Sequence, residues 1–343
     1  MPSTTPITAD AVYGSIHDAI AYGEARTIVP YRASGPDDIN EFCLFLKPEL
    51  TALPLPGLAT AFGIVIDALH AHAVEVSAAA VIPGQVLDES GMIRAHYGVI
   101  DDVARRGTAA FSPEAASAFK LLVEESEVQG APVLGGFQLL ELYPYFTPAA
   151  LAVLYDNLVS TRLSGGTHGA VANIRGNRVV VLNGFHPDQI ERYTARDASI
   201  VALVCRTRTP WRVLRQEMTG STNPVAAVSG SIRRTILERQ DEVGLREFNA
   251  GMNGVHVSAG AVEGMVEIAR YFSGSGSEVK LVTTTFGQLL ASMNLPEESL
   301  AKLAANPTSE FGGRTAPLFD MTEEVDAFDA AAIVREFVDR LSG

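Results

Sequence analysis

His256 is the residue in this chain best placed to do chemistry. It lies in a short strand-like run, Asn253-Gly254-Val255-His256-Val257-Ser258, which leads into an amphipathic helical stretch over 261–272. An imidazole at such a junction faces the mouth of a cleft near a helix start, where free backbone N–H groups stabilise an anion. Glu267, eleven residues on and inside that helix, can hydrogen-bond one ring nitrogen, fix the tautomer and leave the other nitrogen to attack. Lys47-Pro48 closes the first strong strand signal, at the strand end where ligands bind in open sheets. Thr222 and Arg233, eleven residues apart, suit phosphate oxygens through charge-assisted hydrogen bonds. Each has a plainer reading too. His256 is equally a packed core histidine, Glu267 a solvated helix face, Lys47 an exposed strand-end lysine, and Arg233-Arg234 a surface pair.

The elements that must position these residues follow from periodicity. Glu41–Leu46 is a buried strand, residues 58–71 show helical spacing, 73–82 read as a strand and 87–97 as a helix. From about 104 to 195 the pattern changes to two helices (114–126 and 147–161), a glycine turn at Ser164-Gly165-Gly166 and a hairpin, AVANI-RGN-RVVVL. Strand character returns over 198–204, followed by a short helix around Trp211–Glu217 and a polar loop over 219–234. Residues 1–38, with their SGPDD turn, read as an N-terminal extension. Past Ser273 a flexible GSGS linker leads into an acidic, helical C-terminal region. This alternation implies an α/β architecture with helices on a sheet, and periodicity alone does not separate an antiparallel sheet from a doubly wound one.

Composition narrows the partners. In 343 residues there are 40 acidic against 26 Lys and Arg side chains, giving a net charge of -14 and a pI of about 4.9. That surface repels nucleic acid and anionic lipid, yet a small polyanion needs only a few converging cations in a local cleft. Cys43 and Cys205 sit in apolar runs and read as buried free thiols, consistent with a reducing compartment. No signal peptide is apparent at the start, and the longest apolar tract, 58–82, is broken by Asp67, His70, His72 and Glu75. The expectation is a soluble, cytoplasmic protein.

Several segments together resemble the nucleoside diphosphate kinase family. FLKPELTAL resembles its first strand into Lys-Pro-acid, and RAHY (94–97) its helix end with a phosphate-contacting tyrosine. MTGSTNPVAAVSGSIR (218–233) resembles its Gly-x-Thr-Asn-Pro loop closing on Ile-Arg, and NGVHVS with Glu267-Ile268 its active-site strand and the glutamate behind it. The likeness spans roughly 40–103 and 196–273. It implies a ferredoxin-like βαββαβ antiparallel sheet with helices, split as 39–103 and 196–273 by an inserted α/β subdomain (104–195), with a C-terminal helical extension over 274–343.

The resemblance also implies roles. His256 would be the phosphorylated nucleophile, Glu267 its orienting carboxylate and Ser258 an assistant at the histidine. Lys47, Tyr97, Arg215, Thr222 and Arg233 would hold the phosphates, with Lys47 and Asn253 near the ribose hydroxyls. Mg²⁺ and an NTP such as ATP are the implied cofactor and donor, nucleoside di- and triphosphates the ligands, and a homo-oligomer the assembly. Phe111 is the candidate base-stacking aromatic. Three departures stand out: Ala259 replaces an aspartate that organises the magnesium shell, Val257 replaces a glycine, and about ten extra residues fall within 234–248. Arg215 lies one residue further from Thr222 than in the family pattern. Two other functions fit these residues: a phosphotransferase of altered acceptor specificity, with 104–195 reshaping the pocket, and an inactive nucleotide-binding regulatory protein.

Overall fold

The computed structural model describes residues 9–35, 39–273, 278–311 and 314–341. Most of the SGPDD turn and the whole GSGS linker lie outside the described residues. The chain divides into two compact units, one formed by residues 1–86 and 196–343, the other by 87–195. The described strands are β1 (Arg26–Val29), β2 (Asn40–Leu46), β3 (Glu75–Pro83), β4 (Val133–Gly135), β5 (Ser160–Ser164), β6 (Thr167–Ile174), β7 (Asn177–Leu182), β8 (Ser199–Thr207), β9 (Val255–Val257), β10 (Thr308–Phe311) and β11 (Arg314–Pro317). The protein is mixed α/β, and none of its described helices is long and apolar enough to cross a membrane.

In the first unit, five strands form one sheet in the order β1-β3-β8-β2-β9, with every neighbouring pair antiparallel. All seven residues of β2 are buried. Its run Phe42-Cys43-Leu44-Phe45-Leu46 is therefore apolar on both faces rather than alternating, as a strand covered on both sides must be. Each large side chain so buried contributes about 1.5–3 kcal/mol. The helix Ala261–Phe272 packs directly on β2, and Gly264 permits it: a Cβ there would lie 2.8 Å from the Glu41 carbonyl oxygen. The N-terminal segment supplies the helix Ala9–Tyr22 and the edge strand β1. The C-terminal region adds the helices Thr285–Ser292, Glu297–Ala304 and Ala327–Leu341 and the hairpin β10-β11, which periodicity does not reveal.

The second unit holds a four-stranded sheet in the order β4-β7-β6-β5, in which β4 and β7 are parallel and the other pairs antiparallel. The helix expected over 147–161 stops at Asp156, because Ser160–Ser164 pairs with β6 as β5. Likewise the single helix expected over 87–97 is two short ones, Gly84–Glu89 and Met92–His96, broken at Gly91 with φ +68°. Inside this unit the fully buried His186 bridges Asp101, at 3.1 Å, and Gln189, at 2.9 Å. Burial opposes ionisation of Asp101, but hydrogen bonds from His186 and Arg105 prevail and hold its carboxyl below the ordinary value.

A buried carboxylate ties the C-terminal region to the sheet of the first unit. Glu41, 3% exposed, accepts hydrogen bonds from Arg206 Nε (2.7 Å), Thr285 Oγ1 (2.7 Å), Thr285 N (3.1 Å) and the Tyr31 hydroxyl (2.9 Å). Removing the charge leaves Arg206 without its buried counter-ion, and breaking such a pair from one side costs more than the intact pair contributes. Glu41→Gln is expected to lower stability by about 3 kcal/mol in urea unfolding. A loss within about 1 kcal/mol would show that the pair behaves as a solvated surface contact.

Candidate functional site

The site is built on β9, a three-residue strand at the sheet edge. Antiparallel pairing sets Phe45 of β2 opposite His256, so both side chains project from the same face. Their rings stack at 4.6 Å between centroids with 23° between planes. The helix Ala261–Phe272 closes over this face and brings Glu267 Oε1 within 2.8 Å of His256 Nε2. Glu267 is 1% exposed, so the solvated-face reading does not hold for it, whereas the His256 side chain keeps 18% of its surface open.

Ser258 links Glu267 to β2. Its hydroxyl donates to Glu267 Oε2 at 2.6 Å and accepts from the Cys43 N–H at 2.9 Å. Trp211 Nε1 donates to the Ser258 carbonyl at 3.2 Å. The carboxylate that holds the imidazole is thereby held in turn by a buried serine fastened to β2. A carboxylate at this depth is stable only when its oxygens are matched this way.

Alternation along β9 directs the carbonyls of Val255 and Val257 away from β2, toward the open edge. Two arginines take them. Arg233, 7% exposed, donates to the Val255 carbonyl at 2.9 Å and to that of Gly220 at 2.8 Å. Arg215 Nη1 donates to the Val257 carbonyl at 3.1 Å while Nη2 meets Glu323 Oε1 at 3.2 Å. Arg215 sits in a π-helical turn, Leu214–Thr219, which replaces the end of the short helix that periodicity indicates there. Both guanidiniums thus flank the backbone on either side of His256.

Lys47 follows β2 directly. Its main-chain N–H donates to the Gly254 carbonyl at 2.9 Å and its ammonium to Asn253 Oδ1 at 2.7 Å. It is 8% exposed, against the plain reading of a solvated strand-end lysine. Asn253 Nδ2 donates to the carbonyls of Thr222, at 3.2 Å, and Ala250, at 2.9 Å, so the 219–234 loop is pinned to the same strand. The Thr222 side chain itself is exposed. Among the sequence-derived site residues, Lys47, Arg215, Arg233, Asn253, His256, Ser258 and Glu267 therefore meet around β9.

Tyr97 and Phe111 belong to the second unit. There the Tyr97 hydroxyl lies 3.1 Å from that of Tyr193, and Phe111 meets Phe119 edge-on at 5.4 Å. Two carboxylates near Glu267 and Arg215 escape a reading by motif. Glu263, one turn before Glu267 on the same helix, accepts a hydrogen bond from the Ala259 N–H, and its spacing is visible in the sequence. Burial and the adjacent Glu267 push its carboxyl above the ordinary carboxylate range, against the pull of Ala259 and Arg215. Glu323 lies 108 residues from Arg215, and no local pattern points to it. Cys43 and Cys205 are both free and buried, and burial raises both thiols.

The chain matches no protein-family model and no curated protein.

Burial lowers the Lys47 ammonium to about 8, with Arg233 acting in the same direction and Glu49 against it. The ammonium is therefore charged below that value and loses its proton as pH rises through it. If Lys47 contacts phosphate, as the resemblance implies, tripolyphosphate binding measured by calorimetry weakens about tenfold between pH 7 and pH 9 as one charge-assisted contact is lost. Lys47→Arg keeps its charge throughout and should flatten that fall. A wild-type profile that is level across this window would contradict the assignment.

Proposed function

We propose that this chain is a phosphotransferase of the nucleoside diphosphate kinase type, moving the γ-phosphoryl group of an NTP to an NDP through a phosphohistidine at His256. One observation carries the reading: a histidine on an edge strand whose Nε2 is held by a buried glutamate, itself held by a serine, with Lys47, Arg215 and Arg233 around the same strand. The antiparallel order β3-β8-β2-β9 supports it, since a ferredoxin-like βαββαβ sheet runs in this order when its four strands are β2, β3, β8 and β9. In this reading the inserted subdomain read from the sequence, 104–195, falls between β3 and β8, the second and third of these four strands along the chain, within the compact unit 87–195.

The chemistry asks the protein for position and charge rather than covalent help. With Nε2 directed at Glu267, the lone pair on Nδ1 attacks the γ-phosphorus in line. The bond from that phosphorus to the β,γ-bridging oxygen breaks, and the NDP leaves with the electron pair. A second NDP then attacks the phosphohistidine through its terminal oxygen and departs as NTP, so one site serves both halves. As phosphorus bonds to Nδ1 the imidazole becomes cationic, and Glu267 is placed to stabilise that charge. Lys47, Arg233 and Arg215 neutralise the phosphates, and from the resemblance Thr222 is assigned to hydrogen-bond them and Asn253 to lie near the ribose.

Position 259 is alanine, and the nearby Glu263 carboxylate is engaged with the Ala259 N–H. Mg²⁺ would enter with the nucleotide rather than on a side chain at position 259, which suits its preference for retained hydration. It would neutralise phosphate charge. A homo-oligomer in the cytoplasm remains part of the proposal on the strength of the resemblance. The inactive, nucleotide-binding alternative draws support from the same alanine and from the Glu323 contact on Arg215.

Incubation with γ-labelled ATP tests the reading. Wild type is expected to take up acid-labile, base-stable label that an added NDP removes, and His256→Ala to take up none. Glu267→Gln should slow labelling by about a hundredfold, the scale for losing one preorganised electrostatic partner. Wild-type protein that binds ATP yet never acquires label would decide for the binding-protein alternative.

A further inference from the structure

The backbone over 322–326 is docked on the turn that follows His256. Glu323 pairs with Gly260 in an antiparallel bridge, and the Glu324 N–H donates to the Ala259 carbonyl at 2.9 Å. The approach is close enough that a Cβ on Gly260 would lie 2.2 Å from the Thr322 carbonyl oxygen. Both ends of this segment are fixed on the first unit. Before it, the fully buried Thr322 hydroxyl donates to the Leu318 carbonyl at 3.0 Å. After it, Asp326 Oδ1 accepts from Asn40 Nδ2 at 2.8 Å and from the Trp211 N–H at 2.6 Å, and the Ala327 N–H donates to Asn40 Oδ1 at 2.9 Å. Between these anchors Glu324 adopts φ +57°, a left-handed conformation uncommon for a non-glycine residue.

Held in this way, the two glutamates present their side chains to the π-turn of the site. Glu323 meets Arg215 Nη2 at 3.2 Å, and Glu324 accepts from Gln216 Nε2 at 2.7 Å. A carboxylate and a phosphate bind a guanidinium through the same N–H groups. The pair is also accessible, with Arg215 27% and Glu323 48% exposed at their side chains, so an anion from solvent can exchange for the carboxylate.

We propose that Glu323 is a built-in competitor for the polyphosphate at Arg215, so that the C-terminal segment sets how tightly the site holds a nucleoside triphosphate. The inference rests on the reading of Arg215 as a phosphate-holding residue. Bound triphosphate takes the Nη2 edge of Arg215 and the Glu323 carboxylate turns to water, while the docked backbone stays in place. Because the displaced contact is an exposed ion pair, the competition is modest in size.

Calorimetric titration with the Mg²⁺ complex of adenosine 5′-(β,γ-imido)triphosphate tests this on the full chain. Glu323→Gln is expected to bind it about threefold more tightly than wild type, the scale of an exposed pair. Glu324→Gln removes one charge from the same segment without touching Arg215 and should leave affinity as in wild type. In an Arg215→Gln background, the gain from Glu323→Gln should vanish. Equal or weaker binding by Glu323→Gln, or an equal gain from Glu324→Gln or in the Arg215→Gln background, would overturn the proposal while leaving the phosphotransfer reading standing. A wild type that neither binds this probe nor labels with γ-labelled ATP would overturn both.

Discussion

The contact of 2.8 Å between Glu267 and His256 Nε2 is the constraint on which the rest of the site depends. Glu267 is 1% exposed, and its two oxygens are met by the Ser258 hydroxyl and by the His256 ring, as a carboxyl group at this depth needs. Neither partner can move without stranding the other. The serine is in turn fixed to β2 through Cys43, and the imidazole through its stack on Phe45. The orientation of one ring is thus determined by the pairing of two strands and the seating of one helix.

The second organising feature is the open side of β9. An edge strand leaves a row of carbonyls without ladder partners. Here two of them are met by guanidiniums, which brings two permanent positive charges to the flanks of His256. The fold solves a backbone problem and places two guanidiniums at the strand edge with the same residues, on a chain whose net charge is -14. Lys47 repeats the pattern, joining Asn253 through its ammonium and Gly254 through its main chain. The placement of these cations therefore comes from topology, and the overall acidity of the chain says little about it.

How much of this is legible in the sequence depends on the range of the interaction. The continuous apolar runs of β2 and β8 and the helix Ala261–Phe272 are plain from periodicity, because each buries its own face. The eleven-residue spacing of His256 and Glu267 places them together since it spans one strand end and two turns of helix. The burial of Glu267 is not legible, because a lone glutamate in an amphipathic helix has the same local pattern whether it faces water or a histidine. Short strands also escape. β1, β5, β10 and β11 have four or five residues each and are defined by their partners rather than by their own alternation. The Glu323–Arg215 contact, across 108 residues, and the Glu41 network tying residue 285 to residue 41 depend wholly on tertiary packing.

If Glu267 accepts from Nε2, the neutral ring of His256 must carry its proton there and present Nδ1 as the lone pair. Nitrogen-15 NMR of the labelled protein at a pH where the ring is neutral reads that tautomer directly, with Glu267→Ala as the reference. The account predicts the Nε2–H form for His256 in the wild type and a loss of that preference in the variant. A wild-type ring protonated at Nδ1, or a tautomer mixture identical in the two proteins, would contradict it.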